Sequence, residues 1–402
     1  MSNRLDTAPG GPALRDRDPS RVHWMELFFD LIFVALIGQL AHGLHEEPTV
    51  VGLAVFLALF ASVWWSWVNL TFVVNASPDL TRRGLGVVMM IAMFAVGAIA
   101  VAAPEAIGER APLFAAGNAA LRLLLLFLWL RRTRGDGAAA RSRVLIYNGL
   151  TALLWIVSAV LPAPVSFALW ALALIVEVVM LVGTFRSWGG AAMARIDVEH
   201  LSERFGLLVI IVLGESVLTT VAAVNTHWSP DSAAAAALAL AIVSFLAWSF
   251  FFYGADALRF GLDLLRERED SRAIRDIIGF LPYPLLAGVT VIAGAIAVAI
   301  HHPGEPLPSV SAVSLCAGVA LYHFTNALIA VRLGDDPSSV VVWATPAVAL
   351  PLAILPIALA LPALAALAAV AVALAITATL TASLAYRRRR DPRGSEATAG
   401  VA

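Results

Sequence analysis

Apolar residues run in long blocks, broken by short segments where Arg, Asp, Gly and Pro collect. A helix needs about 20 apolar residues to cross a bilayer core of roughly 30 Å. Blocks of that kind fall at 24–44, 50–74, 85–103, 113–130, 144–161 and 165–185, then at 203–224, 233–258, 277–300, 310–331, 340–361 and 363–386. The last two form one apolar stretch divided only by Pro356 and Pro362, so ten or eleven spans also fit. The pattern predicts an all-α, polytopic integral membrane bundle of about 12 transmembrane helices. Its transmembrane domain is 23–386, between a polar N-tail, 1–22, expected to be disordered, and a basic C-tail, 387–402. No cleavable signal peptide is expected, because the first apolar run is itself long enough to span.

Composition agrees with a lipid environment. The chain has 402 residues, 60% hydrophobic and 14% charged, against about 25% charged in soluble domains. A net charge of −1 gives no footing for nucleic acid. All 27 basic residues are Arg, and 24 of them lie in the two tails and the even-numbered loops, whereas the odd-numbered loops hold only Arg110. Under the positive-inside rule both termini are expected in the cytoplasm of a multi-pass inner-membrane protein. Cys316 is the lone cysteine, which excludes an intrachain disulfide and a Cys zinc cluster. His301 and His302 are adjacent, point apart on a helix or strand, and are read as loop residues rather than metal ligands. No metal or cofactor is expected.

Three pairs of motifs recur six spans apart. Glu26-Leu27-Phe28-Phe29 is echoed by Glu203-Arg204-Phe205-Gly206, and Trp65-Ser66-Trp67 by Trp248-Ser249-Phe250. Gly117 and Arg131 bracket the fourth span as Gly318 and Arg332 bracket the tenth. An even offset implies a parallel six-plus-six repeat, with units 24–185 and 203–386. Coincidence among apolar helices of similar composition is the competing account.

Ionisable residues inside spans are costly, about 2.5–3.5 kcal/mol each on insertion scales, and need a partner or water. Asp30, Arg122, Glu177 and Glu215 are the principal candidates, for transport or for ion pairing. Glu26, His200, Glu203, Arg204, Gly214 and His323 are secondary. His23, Glu26 and Asp30 share a helical face by their spacing. His23 and Glu26 are assigned to the headgroup layer, and Asp30 to the interior. Arg122 requires a carboxylate, Glu177 or Glu215, and a structural ion pair is the preferred reading. Arg204 is within reach of Glu26 or Asp30 if the first and seventh spans pack. Gly214, next to Glu215, permits close helix approach or a local break. Trp64, Trp65 and Trp67 are read as packing residues. No phosphate loop, H-E-x-x-H or G-x-S-x-G occurs, so neither a nucleotide-driven pump nor a familiar hydrolase is supported, and the chain is not read as an enzyme.

Two segments carry a family resemblance. The run from Glu26 to Val34, with Gln39 beyond, resembles the opening signature of the bacterial low temperature requirement A proteins. Glu199 to Gly206, then Ile211 to Ser216, is similar to their second signature. Trp64 to Trp67, Asn75, Gly108-Glu109-Arg110 and Ala120-Leu121-Arg122 fall between them in the expected order. One departure is Phe280-Leu281-Pro282-Tyr283-Pro284, where Pro282 stands in place of a histidine that the family often carries. The resemblance implies a membrane protein named for growth in the cold. A shorter similarity, Phe28 to Phe33 at the head of a six-span unit, looks like the two-repeat potassium channels of lysosomes and bacteria.

Three functions stay open on the sequence: a proton-linked secondary transporter of an unknown solute, a cation channel, and a non-transporting protein of cold or envelope-stress adaptation. The lipid bilayer is the expected partner in each. The arginine distribution makes one prediction. Reporter fusions after Arg390 and within 301–308 are expected on opposite sides of the membrane, and a same-side result would overturn the topology.

Overall fold

The computed structural model describes residues 24–46, 48–77, 80–135, 137–185 and 197–390. The N-tail, His23, Arg186, Arg195 and 391–402 lie outside the described residues. The described chain is helical almost throughout. With no water in hydrocarbon, each backbone N–H and C=O must be satisfied within its own helix, which leaves bundles as the solution for apolar blocks of this length.

The rods are α1 (Trp24–Glu46), α2 (Val50–Asn75), α3 (Arg82–Ala102), α4 (Ala111–Arg132), α5, α6 (Val165–Phe185), α7 (Val198–Thr226), α8, α9, α10 (Ser309–Leu333), α11 and α12 (Ala363–Arg390). Three of them contain a π-helical turn. α5 joins Ala138–Val144 to Leu150–Ser158 through Leu145–Gly149, and α8 joins Pro230–Ser249 to Ala255–Glu267 through Phe250–Gly254. α9 joins Ser271–Arg275 to Pro282–His301 through Asp276–Phe280. α11 comprises Pro337–Ala353 and Leu355–Ala360.

Among the described residues, ten helices are long and apolar enough to cross a membrane, fewer than the expected twelve. The difference lies in α5 and α6. α6 is itself an apolar helix of 21 residues, Val165–Phe185, of which Val165–Met180 is counted as a shorter apolar helix. α5 opens with Arg141 and Arg143 and carries Tyr147 and Asn148 at its π turn, so its apolar content is diluted.

Local sequence starts and stops these helices. Thr49, Thr81 and Ser229 accept hydrogen bonds from the backbone N–H three residues ahead, and so do Asp197, Asp270 and Asp336. A side-chain oxygen there satisfies one of the first-turn donors that the helix leaves open. Gly334 ends α10 at φ +105°, a conformation that glycine adopts without a Cβ clash.

Neighbour relations recur at a six-helix offset. α1 packs on α2 and α3, α3 on α4, α4 on α2 and α5, and α5 on α6; likewise α7 packs on α8 and α9, α9 on α10, α10 on α8 and α11, and α11 on α12. α1 also packs against α7 and α9, so the first and seventh helices adjoin where the halves meet. At two glycines a neighbouring helix's backbone comes close. A Cβ on Gly117 would lie 3.1 Å from the Ala95 carbonyl oxygen and 2.5 Å from Ile99 Cγ1 on α3. A Cβ on Gly318 would lie 3.1 Å from the Gly288 carbonyl oxygen and 2.8 Å from Ile292 Cγ1 on α9.

Overfilling such a crossing typically costs about 1–3 kcal/mol. Gly117→Ala is therefore expected to lower the thermal unfolding temperature in detergent. Gly97→Ala, where a Cβ meets nothing within 4 Å, is expected to leave it unchanged. Equal stability of the two variants would count against the crossing.

Candidate functional site

The α1–α7 interface holds a closed polar cluster. Arg204 enters from α7, fully buried, and binds Asp30 of α1 bidentately, Nη2 to Oδ1 at 3.1 Å and Nε to Oδ2 at 3.2 Å. Its Nη1 reaches Glu26 Oε1 at 3.4 Å. The Trp67 indole N–H donates to Asp30 Oδ1 at 2.7 Å, and the same ring lies under the guanidinium at 5.4 Å. Phe29 flanks the guanidinium at 5.8 Å. A fork-shaped cation against a carboxylate, with an aromatic face beside it, is the arrangement that Arg suits and Lys does not.

His200 extends the cluster to the helix start. The Asp197 backbone N–H donates to Asn75 Oδ1 at 3.0 Å, which fixes the orientation of that amide. Asn75 Nδ2 then donates to His200 Nδ1 at 3.2 Å. With Nδ1 accepting, Nε2 carries the proton and donates to Glu26 Oε2 at 3.2 Å. Glu26 is thus buried as well as Asp30, because α7 brings Arg204 and His200 over it. Trp67 is likewise a hydrogen-bond donor as well as a packing residue. Trp64 donates to the Gly279 carbonyl at 2.8 Å, beside the π turn of α9, where widening of the helix leaves backbone oxygens open.

The second buried pair is Arg122 of α4 with Glu177 of α6, each 2% exposed. Arg122 Nε donates to Glu177 Oε1, and Nη2 donates to the Ser62 carbonyl of α2 at 2.8 Å. Nearby, Trp129 donates to Asn69 Oδ1 at 2.5 Å, and Asn69 Nδ2 donates to Asn148 Oδ1 at 3.1 Å. The residues of this chain, Asn69, Trp129 and Asn148, carry no charge and fall on three separate spans, so no spacing on one helix marks them.

Glu215 stands apart. It is half-buried on α7 with no hydrogen-bond or ion-pair partner among the described residues. A cavity of about 20 Å³, roughly the room of one water, lies beside it between α1, α7 and α9. Gly38 makes that room, since a Cβ there would come 2.7 Å from Glu215 Oε1. Gly214 has nothing within 4 Å of its own Cβ position, and α7 continues unbroken through it, so the close approach belongs to Gly38 instead. Asp30 does not adjoin Glu215; it is held by Arg204, eleven residues earlier on α7 and about 16 Å away along the axis. Glu203 lies on the exposed side of α7.

His323 sits in another place, on α10, in the wall of a cavity of about 580 Å³. Asp30, Glu177 and Glu215 therefore do not share one chamber. The cluster and the Glu215 cavity occupy successive levels of the α1–α7 interface, and Arg122 with Glu177 lies within the first half.

Residues 21–379, most of the chain, match the family described as bacterial low temperature requirement A protein (LtrA). The chain belongs to that family. A similar sequence is the Rhizobium meliloti (strain 1021) protein named Uncharacterized protein RA0937, 32% identical over 212 residues. The match covers 50% of this chain and 51% of that protein, so the chain spans about half the length of the curated relative it matches. No solved structure matches this LtrA chain.

Removing one partner of a buried ion pair typically costs about 3–5 kcal/mol, because the other charge is stranded. Arg122→Met and Glu177→Met are each expected to lower the melting temperature in detergent sharply, and the double variant to regain most of the loss. A double variant as unstable as the summed singles would show that the pair is not the stabilising unit.

Proposed function

We propose that this LtrA protein is a secondary transporter, in which Glu215 takes and releases a coupling proton or cation. The observation that carries this reading is the isolation of Glu215. Asp30, Glu26 and Glu177 all have basic partners that account for their presence. Glu215 has none, so its cost in the membrane is unexplained by structure. The neighbouring oxygens suit a small cation or a water. Ser216 Oγ and Thr290 Oγ1 donate to their own helices, to Val212 O at 3.2 Å and Leu286 O at 2.9 Å, which leaves their lone pairs free to accept. The Arg204 cluster closes the same interface on the side where α1 and α7 begin, which favours a carrier with a gated path over an open channel.

The halves 24–185 and 203–386 are read as repeat units of this transporter. Their support is the matching neighbour relations and the two glycine crossings, each resting on a carbonyl and on an Ile four residues later. Both termini are placed in the cytoplasm by the arginine distribution. A non-transporting role in low-temperature growth fits the family name and the two buried ion pairs, but it leaves Glu215 without a task.

The test uses full-length protein in liposomes holding the pH dye pyranine, with a negative-inside potassium diffusion potential set by valinomycin. Proton entry by slip, the uncoupled passage of the coupling ion without solute, is expected above that of empty liposomes. Glu215→Gln is expected to reduce it to the leak rate while keeping the wild-type melting temperature. No entry above leak for protons, nor for sodium in a tracer assay, would overturn the reading, as would undiminished flux in Glu215→Gln.

A further inference from the structure

The cavity of about 580 Å³ lies between α8, α10, α11 and α12. Its walls are mostly apolar, with Trp248, Phe250 and Trp343 prominent. Sites of this size, apolar with a few directed polar groups, commonly hold a small organic ligand. The polar group here is His323. It is 6% exposed, it lines the cavity, and its Nε2 has no hydrogen-bond partner. A buried polar atom left unsatisfied is expensive and is seldom retained without a reason.

The first half of the chain shows what is missing. Arg122 follows Gly117 by five residues, as His323 follows Gly318, and both glycines make the crossings described above. Arg122 meets Glu177 from α6 and a carbonyl of α2, while its Nη1 and Glu177 Oε2 have no hydrogen-bond partner. At the six-helix offset the corresponding helices are α12 and α8. α12 presents Leu374, Thr377 and Thr381 to the cavity and no carboxylate. The Thr377 and Thr381 hydroxyls donate to carbonyls of their own helix at 2.8 Å, and Ser249 on α8 does the same at 3.0 Å. No carboxylate of α12 meets His323, and the cavity lies beside it.

We propose that this cavity binds a lipophilic carboxylic acid, its carboxyl group meeting His323 as Glu177 meets Arg122 and its apolar body lying among Trp248, Phe250 and Trp343. The acid enters uncharged and its carboxyl proton passes to Nε2, so the bond broken is O–H, the bond formed is N–H, and no net charge is added to the membrane interior. Asp335, the other titratable residue lining the cavity among the described residues, repels a free carboxylate and favours the protonated acid. The inference supplies a substrate class for the transporter reading but rests on different residues, since Glu215 does not line this cavity.

Binding is read without flux. Full-length protein in nanodiscs is titrated with bromododecanoic acid, whose bromine quenches tryptophan. Saturable quenching is expected, with Trp248→Phe and Trp343→Phe reducing its amplitude. Loss of a charge-assisted hydrogen bond should weaken binding about tenfold or more in His323→Leu. Dodecanol, which has the same chain and no acid, should compete about tenfold less well than dodecanoic acid on the same grounds. If His323→Leu does not fold, His323→Gln, which hydrogen-bonds but takes no proton, is expected to bind the acid more weakly than wild type. Unchanged binding in the histidine variant that folds, equal competition by dodecanol, or no saturable quenching would each overturn the proposal. Because proton entry through Glu215 is measured with no acid present, loss of acid binding and loss of that flux are separate results.

Discussion

The contact on which the bundle's centre depends is the fork of Arg204 against Asp30. Neither group is tolerable alone in hydrocarbon, so the two helices that carry them must lie together. That requirement puts α7 beside α1 although more than 170 residues separate the pair. It also fixes their relative rotation, because a bidentate contact admits little freedom. Trp67 and Glu26 then fall into place around the same guanidinium, and the second helix is drawn in by its indole N–H. Specificity of assembly, more than stability, is the natural yield of such a contact, since apolar helices alone could slide in many registers.

The amide of Asn75 adds a restraint of a different kind. It holds the start of α7 through Asp197 and the ring of His200 with the same side chain. The end of α2 and the first turn of α7 are thereby joined without a charge, and the histidine tautomer follows from the amide's orientation. The acidic cluster is supported from outside the α1–α7 interface by a group that is itself only partly buried.

Much of this could be read from the chain, and the limits have physical causes. Span positions follow from runs of apolar residues, and Arg122 announced its need for a carboxylate because a guanidinium cannot shed its charge. Glu26 was harder. Position along its own helix put it near the membrane edge, and its burial comes from Arg204 and His200 on another span. Trp67 looked like packing because its ring does pack; the indole donor has no signature apart from the acceptor it finds. Gly214 drew notice by adjoining Glu215 in sequence, whereas the room for that carboxylate is made by Gly38 across the interface. The space beside His323 was invisible, since a cavity is a set of side chains too short to meet, and no single residue records it.

The π-helical turns of α5, α8 and α9 carry a geometric consequence. Each holds one residue more than the α-helical turn it replaces, so the helix beyond is rotated by about 100°. Sliding that extra residue along a rod changes which carbonyl stands open, as the Gly279 oxygen does for Trp64. The number of backbone bonds stays nearly constant and the rod ends stay where they are. These three helices can therefore turn a short segment about its own axis without tilting. In a bundle whose crossings at Gly117 and Gly318 leave little room for rocking, axial twist is the motion that the packing obstructs least.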